Sequence, residues 1–178
     1  MRYRRNWVPG GCFFFTVVTR RRRPLLTRAD SVDVLRAAFR SVRTERPFRV
    51  DAIVVLPDHL HCIWTLPEDD ADFATRWRLV KTWFTRQCEP SLRGQVAGWR
   101  AARGEQVVWQ RRYWEHTVRD AEDFVRHVEY IHYNPVRHGY VGAAREWPYS
   151  SFHRYVRAGL YPLQWAGVPD EIDGVGHE

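Results

Sequence analysis

Phe48, Val50, Ala52, Val54 and Leu56 alternate with other residues, the period-two pattern of a strand with one buried face. Pro57-Asp58 marks a turn, and His59 to Leu66 reads as the second arm of a hairpin. Upstream, Cys12 to Thr19 is rich in aromatic and β-branched residues and reads as a buried strand. Between these strands Val32, Leu35, Phe39 and Val42 recur at helical spacing, with Ser31 placed to cap the helix and Arg46-Pro47 to stop it. A second helix carries Phe73, Trp77, Val80 and Phe84 behind Asp69, Asp70 and Asp72, whose charge suits a helix N-terminus. Arg76, Lys81 and Arg86 are expected elsewhere on its surface. Residues 89–106 contain Pro90, Gly94, Gly98 and Gly104 and read as a long loop, and residues 107–118 contain a further strand. Asp120 starts a third helix, with Phe124, Val128 and Ile131 on its apolar side, that ends near Asn134-Pro135.

The order β-α-β-β-α-β-α predicts an α+β fold. Its first six elements match a ferredoxin-like split βαβ, an antiparallel sheet with helices on it and one more helix after the last strand. One domain is expected over residues 1–178: a basic arm over 1–10, a core over about 11–140, and a C-terminal segment from about 141 that wraps the domain irregularly.

Composition narrows the partner. At 178 residues with 44% hydrophobic and 15% aromatic content, the chain has the material for a packed core rather than a disordered segment. The net charge is +7, and Lys81 is the only lysine, so nearly all the positive charge is arginine. GC-rich codon usage explains the arginine bias as well as phosphate binding does, but the net charge itself favours a polyanionic partner. Three cysteines without a CxxC pair suggest a reducing compartment. No apolar run approaches the roughly 20 residues of a membrane span, and no signal-like segment opens the chain. The expectation is a soluble, cytoplasmic protein.

The chemistry gathers at two places. In Leu56-Pro57-Asp58-His59-Leu60-His61-Cys62, the two histidines project from one face of a strand, as two imidazoles meeting one divalent metal would. Leu60 and Cys62 point the other way. On the third helix, Asp123, His127, Tyr130 and Asn134 are spaced 4, 3 and 4 apart and form a polar stripe. If that stripe faces the histidines, Asn134 can be a third ligand and Tyr130 a nucleophile toward a metal-bound phosphate. Tyr133 and Tyr140 compete for that role, but Arg137 and Ala144 stand where an amide is wanted. His116, His127 and His132 are candidate general acids, though read first as surface histidines. Arg20–Arg23 reads as a solvated charge run that near DNA would track phosphates. Trp83, Trp109 and Trp114 are candidates to stack on unpaired bases.

Together, Leu56-Pro57-Asp58-His59-Leu60-His61 and Tyr130-Ile131-His132-Tyr133-Asn134-Pro135-Val136 resemble the HUH single-tyrosine transposases, in particular their REP-associated tyrosine transposase branch. Pro9-Gly10-Gly11, the run Trp109 to His116, and Trp147-Pro148-Tyr149-Ser150-Ser151-Phe152 fit the same branch, so the resemblance covers roughly residues 5–165. It implies that the helix after the last strand is the catalytic one. It also implies Mg²⁺ or Mn²⁺ held by His59, His61 and Asn134, Tyr130 as nucleophile, and single-stranded DNA with imperfect, REP-like hairpins as substrate. Arg2, Arg4 and Arg5 are expected to read the foot of the hairpin. The branch implies a monomer, whereas related insertion-sequence transposases are dimers. Two rivals make different demands: a hairpin-binding regulator needs no Tyr130, and a nuclease using water needs the histidines alone.

Overall fold

The computed structural model describes residues 7–93, 98 and 108–167; the arm residues Arg2, Arg4 and Arg5 lie outside this range. Four strands, β1 (Cys12–Val18), β2 (Arg49–Val55), β3 (His59–Thr65) and β4 (Trp114–Thr117), form an antiparallel sheet in the order β2-β3-β1-β4. Helices α1 (Ala29–Glu45) and α2 (Phe73–Gln87) cover one face; a short turn, α3 (Pro90–Arg93), follows α2. Helix α4 (Ala121–Arg137) covers the opposite face, and α5 (Phe152–Arg157) lies beyond it in sequence. This is the expected α+β split βαβ, closed by a helix after the last strand.

The central strands are buried on both faces, which is why β1 reads as a continuous apolar run. Phe13, Phe15, Leu60, Cys62 and Trp64 pack toward α1 and α2, while Phe14 and Ile63 pack toward α4. Trp64 is the hub of the first layer, stacked on Trp77 at 4.2 Å and in contact with Phe48 at 4.2 Å and Phe15 at 5.0 Å. Trp64→Ala is expected to cost about 3–5 kcal/mol by leaving a cavity among these rings. A urea titration checks this, and a loss below about 1 kcal/mol would contradict the packing.

Strand β2 departs from its alternation. Ala52, Val54 and Leu56 belong to the α4 layer, but Phe48 and Val50 belong to the α1 layer. A register shift between Val50 and Ala52 inserts one residue and swaps the faces. Helix α1 begins at Ala29, two residues before the expected cap, so Ser31 lies buried inside it. Ala29 is a good helix former and Asp30 suits the first turn.

Arg76 and Lys81 are not surface residues. Arg76 is buried against Asp70 (2.6 Å) and the carbonyls of Pro47 (2.8 Å) and Asp72 (2.9 Å). Lys81 donates to the Gln110 carbonyl at 3.0 Å and sits over Tyr113. Both long side chains fill polar niches that periodicity alone does not register.

The segment after α4 is less irregular than expected. Tyr149–Ser151 runs antiparallel along the outer edge of β2, with Val55 N–H donating to the Tyr149 carbonyl (2.8 Å) and Ser151 N–H to the Ile53 carbonyl (2.8 Å). This covers an edge that would otherwise be open to another strand. No helix among the described residues is long and apolar enough to cross a membrane.

Candidate active site

Register places the two histidines. His59 and His61 pair with Val18 and Thr16 of β1 and face α4, with Cys62 on the other side. Both are buried, and their rings lie 4.9 Å apart. His59 Nδ1 is 2.6 Å from Asp58 Oδ1, and His61 Nδ1 is hydrogen-bonded to Thr16 Oγ1 at 2.9 Å. Such partners fix tautomer and ring orientation, leaving Nε2 as the nitrogen suited to a metal. The Nε2 of His59 is buried with no hydrogen-bond partner among the described residues, an arrangement that fits a ligand nitrogen.

Asp58 is itself held in place. Thr19 donates to its carbonyl through N–H (2.8 Å) and Oγ1 (2.9 Å), and Arg22 reaches its carboxylate at 3.2 Å. Burial pushes the carboxyl up, but the pairing with His59 and Arg22 outweighs it and holds the group below its ordinary value.

Helix α4 brings the second half of the site. Asp120 caps its start by accepting from Asp123 N–H at 2.9 Å. The helix continues through Pro135, past the expected end, to a Schellman motif: Gly139 has φ +70°, with Tyr140 N–H bonded to the Pro135 carbonyl and Gly139 N–H to that of Val136. Tyr130 is fully buried between His61 (5.1 Å) and Phe14 (5.9 Å), with the Arg137 guanidinium 5.5 Å over its ring. Asn134 lies one turn on, also fully buried. His138, which sequence reading did not single out, packs on His59 at 5.3 Å. Asp58, Thr16 and Arg22 were also missed. Asp58 was legible as the neighbour of His59, but Thr16 depends on a strand register that the sequence does not show.

The upper half of the polar stripe makes a separate cluster. The Asp123 carboxylate accepts from His116 Nε2 (2.8 Å), Arg119 N–H (3.0 Å) and Arg119 Nε (3.2 Å), with His127 Nδ1 at 3.2 Å. These three groups, His116, Asp123 and His127, place ligand atoms within 4.8 Å of one another, a donor set a divalent cation accepts. The two imidazoles are stacked at 4.6 Å with 13° between their planes, and His127 Nδ1 lies closer to the Asp123 backbone carbonyl, at 2.7 Å, than to the carboxylate.

Burial raises the Asp123 carboxyl, but the hydrogen bonds from His116 and Arg119 overcome this and hold it well below the ordinary range. A folded pKa below the unfolded value of about 3.9 means stabilisation that is present above about pH 4 and lost as pH falls toward the folded value. Asp123→Asn is therefore expected to cost about 2–4 kcal/mol at pH 7, with the gap to wild type narrowing below pH 4. Urea titrations at pH 7 and pH 3 check it, and a pH-independent gap would contradict the role of the charge.

Several candidates change character. His127 and His132 are buried, not surface residues, and His116 is half-buried. Burial pushes the His132 imidazole down to about 3, so it is neutral near pH 7 and unsuited to be a general acid there. Its Nε2 is bonded to Ser151 Oγ at 2.9 Å. Tyr133 is half-buried and packs with the α4 layer, and Tyr140 is 44% exposed and stacks on Trp147. Trp109 is buried against Phe84 and is withdrawn as a base-stacking surface; Trp83 and Trp114 are half-buried.

No family model matches the chain. Whole-chain relatives do. A REP-associated tyrosine transposase of Escherichia coli is 47% identical over 165 residues, covering 93% of this chain and 90% of the relative. A Haemophilus influenzae protein assigned to the same transposase family is 46% identical over 169 residues, 94% of each chain. Among solved structures, a REP-associated tyrosine transposase bound to a REP hairpin superposes with a TM-score of 0.80 at 47% identity, covering 94% of this chain and 92% of the other.

Proposed function

The chain belongs to the REP-associated tyrosine transposases, and from that premise we propose that it cleaves and rejoins single-stranded DNA beside imperfect hairpins through a 5′-phosphotyrosine on Tyr130. The observation that carries this reading is the position of Tyr130, 5.1 Å from His61 on a helix packed across the histidine face of the sheet.

His59, His61 and Asn134 would hold a divalent cation, Mg²⁺ or Mn²⁺. When bound, the cation supplies Lewis-acid neutralisation of phosphate charge. Asp58 and Thr16 set the two imidazoles in the tautomer and orientation this needs. Tyr130 Oη loses its proton and forms a bond to phosphorus, the bond from phosphorus to the 3′ oxygen breaks, and that oxygen gains a proton as a free 3′-hydroxyl. Rejoining reverses the exchange: a 3′-hydroxyl attacks the phosphotyrosine and Tyr130 regains its proton. Since Tyr130 is fully buried, covering side chains must move before a DNA phosphate reaches it.

The hairpin-bound relative supports a REP-like hairpin as the partner; the basic charge of Arg2, Arg4 and Arg5 would suit them to contact its foot. The protein then acts in the cytoplasm, where that DNA lies, and as a monomer. Hairpin recognition is tested by binding of a labelled hairpin with single-stranded flanks, taken from repeats beside the gene, against a scrambled strand of equal length. The expected result is tighter binding of the hairpin that weakens steeply with salt. Equal binding of both strands would contradict it.

A further inference from the structure

A cavity of about 330 Å³ lies between α1 and the Pro148–Ser151 segment, where that segment covers the edge of β2. Leu35, Phe39, Val50, Ile53 and Tyr149 give its lining a largely apolar character. Arg36, Arg40, Arg43 and Arg154 line it, and no acidic residue does among the described residues. The size is at the lower end for small-molecule sites, about 300–1,000 Å³. An apolar slot ringed by guanidinium groups suits a planar base flanked by phosphates.

The four arginines are not equivalent. Arg154 donates to the Val50 and Asp51 carbonyls, and Arg43 Nε donates to the Phe48 carbonyl at 3.0 Å, so both are tied to β2 and its approach. Among the described residues Arg36 pairs only with Asp33, at 3.3 Å, in a pair whose side chains are more than half exposed, and such pairs are weak. The Arg40 guanidinium has no partner among the described residues. Arg36, Arg40 and Arg43 follow at i, i+4 and i+7 and so share one stripe of α1.

An aromatic run joins this cavity to the histidine pair. His59 contacts His138 (5.3 Å), His138 stacks on Tyr140 (5.8 Å), Tyr140 stacks on Trp147 (5.5 Å), and Trp147 meets Tyr149 (6.0 Å). Trp147 Nε1 donates to the Val55 carbonyl at 3.0 Å, which pins the run to the sheet edge. Tyr140 presents a face to solvent, 44% exposed.

We propose that this cavity is a second DNA contact, which takes one unpaired base of the substrate strand while Arg36 and Arg40 hold the flanking phosphates. The strand would reach it from the histidine pair along Tyr140 and Trp147. This inference rests on the DNA-processing reading above and adds to it a site remote from Tyr130.

The test is Arg36→Ala/Arg40→Ala, two exposed helix positions where alanine keeps the fold. Fluorescence anisotropy is read on a hairpin with single-stranded flanks and on the same hairpin without them. The double variant should bind the flanked hairpin about tenfold or more weakly, and its slope of log affinity against log salt should shrink by about 1.4, near 0.7 for each single-strand phosphate lost. Binding of the flankless hairpin should hardly change. 5-Iodouracil placed at each unpaired position in turn should crosslink at one of them to the peptide carrying Tyr149. Unchanged affinity and slope, an equal loss on the flankless hairpin, or crosslinks that avoid Tyr149 would each overturn the proposal. The covalent adduct of wild-type protein is scored separately: if it forms while the double variant binds normally, the cavity proposal fails and the transposase reading stands. If wild-type protein binds no DNA, both fail.

Discussion

Tyr130→Phe is expected to abolish the covalent protein–DNA adduct and to lower strand cleavage by at least about 10³-fold, because in the proposed mechanism the phenol oxygen is the atom that bonds to phosphorus. The ring stays. It still fills the space between His61 and Phe14 and still lies under Arg137, so the fold and the hairpin affinity should persist. This separation of chemistry from binding is what makes the variant informative. Incubation with labelled hairpin DNA and Mn²⁺, followed by a denaturing gel, reads both products. Cleavage that continues without an adduct would point to water as the nucleophile. Cleavage by neither protein, with tight binding by both, would favour a hairpin-binding module.

The second large effect concerns the cation. Chelation should bring cleavage to background and leave hairpin binding in place, and added Mn²⁺ should restore it. His59→Ala and His61→Ala should each lower cleavage by about 10²-fold or more, since even residues that only support a ligand are worth about 10–100-fold. The two should differ in stability. His61 is packed on both Phe14 and Tyr130 and its removal opens the α4 layer, whereas His59 contacts His138 nearer the aromatic run. Rates measured across a Mn²⁺ titration, beside a thermal melt, separate lost cation affinity from lost fold. Cleavage at full rate in chelator would contradict the assignment.

Much of this was written in local patterns. The Pro57-Asp58 turn that opens β3, the helical spacing of Phe73, Trp77, Val80 and Phe84, and the Asp120 cap each depend on a few neighbouring residues, and each element formed where expected. The His-x-His pair and the tyrosine–asparagine turn were legible for the same reason, since strand and helix periods fix which side chains share a face. What the sequence hid was relational. The insertion at Val50/Ala52 that turns β2 over depends on its pairing with Trp64 and Ile63. Thr16 became a partner of His61 only through the β1–β3 register. Arg76 and Lys81 look like surface charges until the carbonyls they satisfy are brought to them from distant segments. His127 and His132 likewise look solvated until the sheet and α5 close around them.

Whether Tyr130 carries the DNA is decided by finding the modified residue. The adduct formed on hairpin DNA with Mn²⁺ is denatured, digested with nuclease and trypsin, and sequenced by tandem mass spectrometry. A nucleotide linked by phosphate to Tyr130 is expected. A nucleotide on Tyr133, Tyr140 or any other residue would contradict it.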